Sequence, residues 1–121
     1  MSNFCLMSGL IGWDATDEVA VASQIVARSL TGNELSVSVF DLEPHAVVPL
    51  HSHPNEEFGY VISGGLSLTV NDGEARDITA GESFFICPNE SHKAVAFESG
   101  CQLLECYAPP RIPKPFRETP S

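Results

Sequence analysis

The chain has 121 residues, with 16 acidic and 6 basic side chains, a formal net charge of -10 and 43% hydrophobic residues. That length supports one domain with one modest core, and the apolar content excludes a disordered chain. The acidic balance argues against a basic face for nucleic acid or an anionic membrane. No run is long enough to span a bilayer, and the N-terminus lacks the basic start and apolar stretch of a secretory leader. A cytoplasmic protein is expected, with Cys5, Cys87, Cys101 and Cys106 as reduced thiols, because their spacing matches no zinc or redox motif.

In chain order, residues 1–18 read as an irregular lead-in, anchored to the core by Trp13. Residues 19–30 read as extended. After a turn at Thr31-Gly32-Asn33, Leu35, Val37 and Val39 alternate with Ser36 and Ser38, the period-two pattern of a half-buried strand. Glu43-Pro44-His45 turns the chain. Residues 47–53 and 57–63 form the next strand pair, separated by a break at Pro54 and Asn55. Gly64-Gly65 reads as a turn, residues 66–70 as an alternating strand, and Asn71-Asp72-Gly73 as the strongest hairpin turn of the chain. A short strand at 75–78, a turn at 79–82, a buried strand at 83–86 and a loop at 87–90 follow. Residues 92–98 and 101–107 read as a last hairpin about Ser99-Gly100. Residues 108–121 hold five prolines and read as an extended tail that ends the domain or reaches to a partner. About nine short strands with this turn spacing predict an all-β domain over residues 19–107, a small antiparallel barrel or double-sheet jelly roll.

The chemistry concentrates at His51-Ser52-His53, Glu57 and His92. Side chains alternate along a strand, so a His-X-His pair puts both rings on one face. A tight return brings Glu57 beside them, and His92 has to arrive from a distant segment. Three imidazoles and one carboxylate suit one divalent ion, Fe, Mn, Ni, Co or Zn, and leave two positions of an octahedron open.

These residues resemble the cupin superfamily over about residues 35–107. In the first cupin motif, His51, His53, Glu57 and Gly64 stand in register, and His45 takes the place of the leading glycine. In the second, Gly81 and His92 keep their span. Cys87 and Asn89 replace the inner proline and glycine, Pro88 is shifted by one place, and Ala96 stands where the motif closes on asparagine. Asn is the best non-glycine residue for a left-handed turn, which suits Asn89. The resemblance implies a double-stranded β-helix, or jelly-roll β-barrel, with the metal held by His51, His53, Glu57 and His92 inside its open end, and a homodimer. The segment ending in Tyr107-Ala108-Pro109-Pro110-Arg111 looks like the end of small cupins that open unsaturated uronate sugars.

Around the ligand set, Glu105 and Tyr107 share one face of the last strand and are candidates for acid–base work if that face turns inward. Gln102 lies on the other face. Arg28, on an early strand, is a candidate clamp for a substrate carboxylate if it is buried and an ordinary surface residue if it is exposed. Gly59 shares the face of Glu57, where its missing side chain either leaves space beside the metal or serves packing. Phe58, Tyr60 and Ile62 face the other way as core or dimer contacts, with core expected. Cys87 reads as a passive small residue. The expected function is a metal-dependent isomerase, tautomerase or lyase acting on a small oxygen-rich molecule such as a sugar acid. An Fe(II) dioxygenase and a non-enzymatic small-molecule binder are the alternatives.

Overall fold

A computed structural model describes residues 8–116. Cys5 lies outside them. The described cysteines, Cys87, Cys101 and Cys106, are free thiols. A short 3-10 turn, Trp13–Ala15, precedes eight strands: β1 Val19–Ala22, β2 Ile25–Thr31, β3 Ser36–Leu42, β4 Val47–His51, β5 Glu56–Val70, β6 Arg76–Thr79, β7 Ser83–Ile86 and β8 His92–Ala108. All strand pairings are antiparallel. Among the described residues no helix is long and apolar enough to cross a membrane.

Two long strands build the barrel. Glu56–Gly64 of β5 pairs with Cys101–Ala108 of β8, and Leu66–Val70 of β5 pairs with His92–Ala96. The first half of β5 carries β7 on its other edge, and the second half carries β6. β8 in turn carries β3 beside its second half and β4 beside its first. Two sheets result, β1-β2-β3-β8-β5-β7 and β4-β8-β5-β6, joined because β5 and β8 run through both. This is the expected double-sheet jelly roll.

The expected turns at Gly64-Gly65 and Ser99-Gly100 are corners inside continuous strands. Gly64 and Gly100 have φ of 69° and 75°, a region that side chains with a Cβ resist. A Cβ on Gly64 would lie 2.0 Å from the Gly100 carbonyl oxygen. Close backbone approach, with bulges at 61–63 and 64–66, lets the two strands bend together from one sheet into the other. Residues 19–30 hold the opposite surprise: β1 and β2 form a hairpin through Ser23 and Gln24, with no glycine or proline to announce it.

The core lies between the sheets, around Val21, Ile25, Leu42, Val61, Ile86 and Leu103. Each fully buried aliphatic side chain of this kind contributes about 1.5–3 kcal/mol. Trp13 is half-buried and outside this cluster. β3 is the strand its pattern predicts, turned the other way. Ser36 and Ser38 are fully buried, Val37 and Val39 are half-buried on the outer side, and Leu35 is exposed. Phe58, Tyr60 and Ile62 are likewise on the outside, at 54%, 46% and 42% exposure, which corrects their placement in the core. The reason is strand phase: β5 turns Glu57 and Gly59 into the cup, so their neighbours must face out.

The proline-rich tail folds back over the chain's own barrel. Asn55 Nδ2 donates to the carbonyls of Pro109 and Pro110 at 2.6 and 3.3 Å. The Arg111 amide donates to Ser36 Oγ at 2.9 Å, and the Phe116 amide donates to the Val21 carbonyl at 2.8 Å. Residues 109–116 thus form a strap over one end of the barrel.

Candidate metal centre

The ligand-type residues come together at that end. His51 closes β4 and pairs in register with His92, the first residue of β8, so their ring centroids lie 4.2 Å apart. The loop before β8 is steered there by Asn89, whose φ is 68° and whose amide donates to the His53 carbonyl at 2.8 Å. Ring nitrogens of His51, His53 and His92 lie within 4.8 Å of one another. Glu57 Oε1 stands 2.9 Å from His53 Nε2 and 3.5 Å from His92 Nε2, all three residues being buried.

The hydrogen bonding fits a cation. Nδ1 of His51, His53 and His92 lies 2.8, 3.2 and 2.9 Å from the carbonyls of Pro49, Asn55 and Glu90. A carbonyl only accepts, so each Nδ1 carries the hydrogen and each neutral ring keeps a lone pair on Nε2. Two acceptors 2.9 Å apart, His53 Nε2 and Glu57 Oε1, need a proton or a metal between them. His92 Nε2 is buried without a hydrogen-bond partner. Backbone carbonyls that fix the ring tautomer are the usual support of histidine ligands.

Electrostatics follow from burial. His51 is pushed down to about 4, chiefly by desolvation, then by the charges of His92, His53 and Arg111 against the opposing Pro49 carbonyl. Its nitrogen is therefore unprotonated at neutral pH. Burial also works to lower His92, but Glu57 and the Glu90 carbonyl outweigh it and raise this ring above its ordinary value. Burial would raise Glu57; its contacts with His53 and His92 hold it well below the usual carboxylate range.

Glu105 and Tyr107 face inward, next to Gly59 and Glu57 across the β5–β8 ladder. The Tyr107 hydroxyl donates to Glu105 Oε1. Burial and the adjacent charge of Glu57 push Glu105 well above the carboxylate range, favouring its protonated form. Gln102 faces outward and donates to Asp41 Oδ1 at 2.9 Å.

His51, His92, Glu57, Glu105 and Tyr107 line a cavity of about 60 Å³, together with Phe40, Phe84, Arg111 and Phe116. Arg28 is not among its lining residues. Ile25 and Ala27 point inward, so Arg28 points out, where it donates to the carbonyls of Thr16 and Trp13 and lies 3.8 Å from Glu18. It pins the lead-in, which corrects its reading as a substrate clamp. Of the two readings of Gly59 the packing one holds, since the Phe84 ring would stand 2.1 Å from a Cβ there. Cys87 is exposed and away from the cavity.

Arg111, Phe116 and Asn55 escaped sequence reasoning as site residues. The first two lie in the tail, and nothing in a proline-rich stretch says where it folds. The Phe116 ring stands 5.0 Å from His51.

Residues 38–104 match the family model described as a cupin domain. The chain belongs to the cupin family. This cupin is 37% identical over 65 residues to a protein of Bacillus subtilis named H2HPP isomerase, which covers 53% of the chain and 27% of that protein. It is 30% identical over 88 residues to the oxalate decarboxylase OxdC of Bacillus subtilis strain 168, over 69% of the chain and 23% of that protein. The chain thus spans about a quarter of the length of these curated relatives, both named as enzymes. Among solved structures, an RmlC-like cupin from Shewanella frigidimarina NCIMB 400 superposes with a TM-score of 0.78 at 26% identity, covering 88% of this chain and 95% of that one. KdgF from Halomonas sp. shares the fold, with a TM-score of 0.79 at 22% identity over 87% and 96% of the two chains.

Proposed function

We propose that this cupin is a metal-dependent enzyme of isomerase, tautomerase or lyase type acting on a small oxygen-rich substrate. The observation that carries the reading is three imidazoles, each tied through Nδ1 to a backbone carbonyl, gathered with one buried carboxylate at a cavity. His51, His53, Glu57 and His92 are the ligands in this reading, and Fe, Mn, Ni, Co or Zn suits their chemistry. When bound, such an ion supplies Lewis-acid polarisation of a substrate carbonyl or enediol oxygen.

The chain's own residues move the proton. Glu105, protonated in its buried setting, gives its proton to one substrate atom and takes one back from another, so an isomerisation consumes none. Tyr107 donates a hydrogen bond to Glu105 and steadies the carboxylate that forms. A positioned acid–base group of this kind contributes about 10²–10⁴-fold. Phe84 and the strap keep bulk water from the cup. The isomerase-named relative supports a reaction without net redox change.

The test is incubation of metal-loaded protein in D2O with small keto acids and unsaturated uronates. Deuterium uptake or isomer formation that chelation abolishes is expected. Absence of both, with oxygen consumption by the iron-loaded protein, would move the assignment to a dioxygenase.

A second copy of the chain is the partner that best suits the outer sheet face. Phe58, Tyr60, Ile62 and Phe85 are exposed there, beside half-buried Val37, Val39, Leu104 and Cys106. None of these is charged, and they form an apolar patch flanked on the same face by the carboxylates of Asp41 and Glu56.

A further inference from the structure

We propose that the cup takes a compact carbonyl compound whose oxygens sit at one end and whose other end is a short alkyl group, and that it excludes polyhydroxylated sugar acids. This rests on the reading of the cup as an enzyme's site and deepens it by naming the substrate class. The first observation is what the cavity wall lacks. Among the described residues, none that lines it is a serine, threonine, asparagine or glutamine. A sugar's hydroxyls would enter without neutral partners, and a hydroxyl taken out of water unpaired binds poorly.

The fold has such side chains at hand and keeps them from the cavity. Ser36 Oγ is engaged with the backbone of Arg111, and Asn55 Nδ2 with the carbonyls of Pro109 and Pro110. Ser38 is fully buried on the inner face of β3, yet it does not line the cavity and its hydroxyl has no partner. Gln102 faces outward. The ionisable lining groups gather at one end, where Glu57 and Glu105 stand with His51, His92 and Tyr107. Lys93 follows the outward phase of β8, and Lys114 is exposed on the strap. The rest of the wall is apolar: Leu42, Leu66, Leu68 and Leu103 from the barrel, Ile112 and Phe116 from the strap. A pocket with polar groups at one end and apolar walls elsewhere orients a ligand of the same division.

The second observation is size. A plain core closes to crystal-like density, but about 60 Å³ stays open here. An apolar cavity of roughly 150 Å³ holds benzene, so this one holds an alkyl group of about two or three carbons. A sugar ring with its substituents exceeds that space.

The experiment is calorimetric titration of the purified protein, metal-loaded and after chelation. The probes are pyruvate, 2-oxobutanoate, 2-oxopentanoate, 2-oxohexanoate, 4-hydroxy-2-oxopentanoate and galacturonate. The oxo acids share one head, so differences among them report the body alone. Each methylene up to 2-oxopentanoate is expected to tighten binding about fourfold. The 4-hydroxyl weakens it about tenfold against the plain five-carbon acid. Galacturonate does not bind at millimolar concentration. Phe40 lines the cavity and is half-buried. The parent gains nothing from 2-oxohexanoate, whereas Phe40→Leu binds it best, with metal content unchanged. A flat series, equal binding of the plain and hydroxylated five-carbon acids, tighter binding of galacturonate, or binding of none overturns the proposal. A protein that holds no metal yet shows the graded series sinks the metal-enzyme reading and keeps this one. A metal-loaded protein that takes deuterium into an unsaturated uronate and binds none of the oxo acids does the reverse.

Discussion

The inner face of the β3-β8-β5-β7 sheet carries Ser36, Ser38, Glu57, Glu105 and Tyr107 at the cup and the core residues Leu42, Val61, Ile86 and Leu103 elsewhere, while the outer face carries Val37, Val39, Phe58, Tyr60 and Leu104 beside Asp41, Glu56 and Gln102. A sheet with one face on a core and one in water is apolar inside and polar outside, and only the cup end of this one departs from that. There the inner side meets the cavity, and the outer side exposes an apolar patch. Alternation tells which residues share a face. What each face meets decides which of the two is polar.

Removing an inner ligand breaks the comparison most sharply. His51→Ala should lower metal affinity by more than about 100-fold and abolish metal-dependent turnover, with the β-sheet circular dichroism retained; elemental analysis of the purified variant checks this. Retention of stoichiometric metal would sink the ligand assignment.

Glu105→Gln comes next. Its amide keeps the size of the side chain and cannot give up a proton, so turnover should fall about 10²–10⁴-fold while bound metal stays. Metal content and rate measured on one preparation separate this from loss of the ion. A variant as fast as the parent would leave Glu105 a structural acid only.

On the outer face, Tyr60→Glu plants a carboxylate in the apolar patch. If a second copy covers it, light scattering should show a dimer that dissociates at least about 100-fold more readily, with metal content unchanged. A parent protein that is monomeric across the whole concentration range removes that partner.

The smallest effect concerns pH. In chelated protein His51 has a folded-state pKa of about 4 against an ordinary 6.5. The unfolded chain therefore binds this proton first. The stability that neutral His51 supplies is full above pH 6.5 and is lost as pH falls toward 4. His92 is raised, so its contribution is full below 6.5 and is lost as pH rises through its folded-state value. Urea midpoints should fall between pH 6.5 and 4 less steeply in His51→Ala than in the parent.

Much of the site was legible before any coordinates. His51, His53, Glu57 and His92 were readable because ligand chemistry needs particular side chains, and a His-X-His pair on a strand shares a face by period alone. Glu105 and Tyr107 were readable as a pair for the same reason, though not which way they faced. Arg28 misled because an arginine on a strand says nothing of what it meets, and the lead-in turned out to supply its partners. Gly64 and Gly100 misled because the same left-handed backbone serves a reversal and a corner.

The sequence by itself determined the strand periods, the gathering of side-chain types suited to a metal and the family, since these rest on local alternation and on the chemistry of individual side chains. Only the tertiary structure decided which face of β3 and β5 turns inward, that β5 and β8 bend through both sheets, and that the tail crosses the cup to bring Arg111 and Phe116 to the site. Those outcomes depend on contacts between residues far apart in the chain, such as Asn55 with Pro109 and Ser36 with Arg111, and no local pattern encodes them.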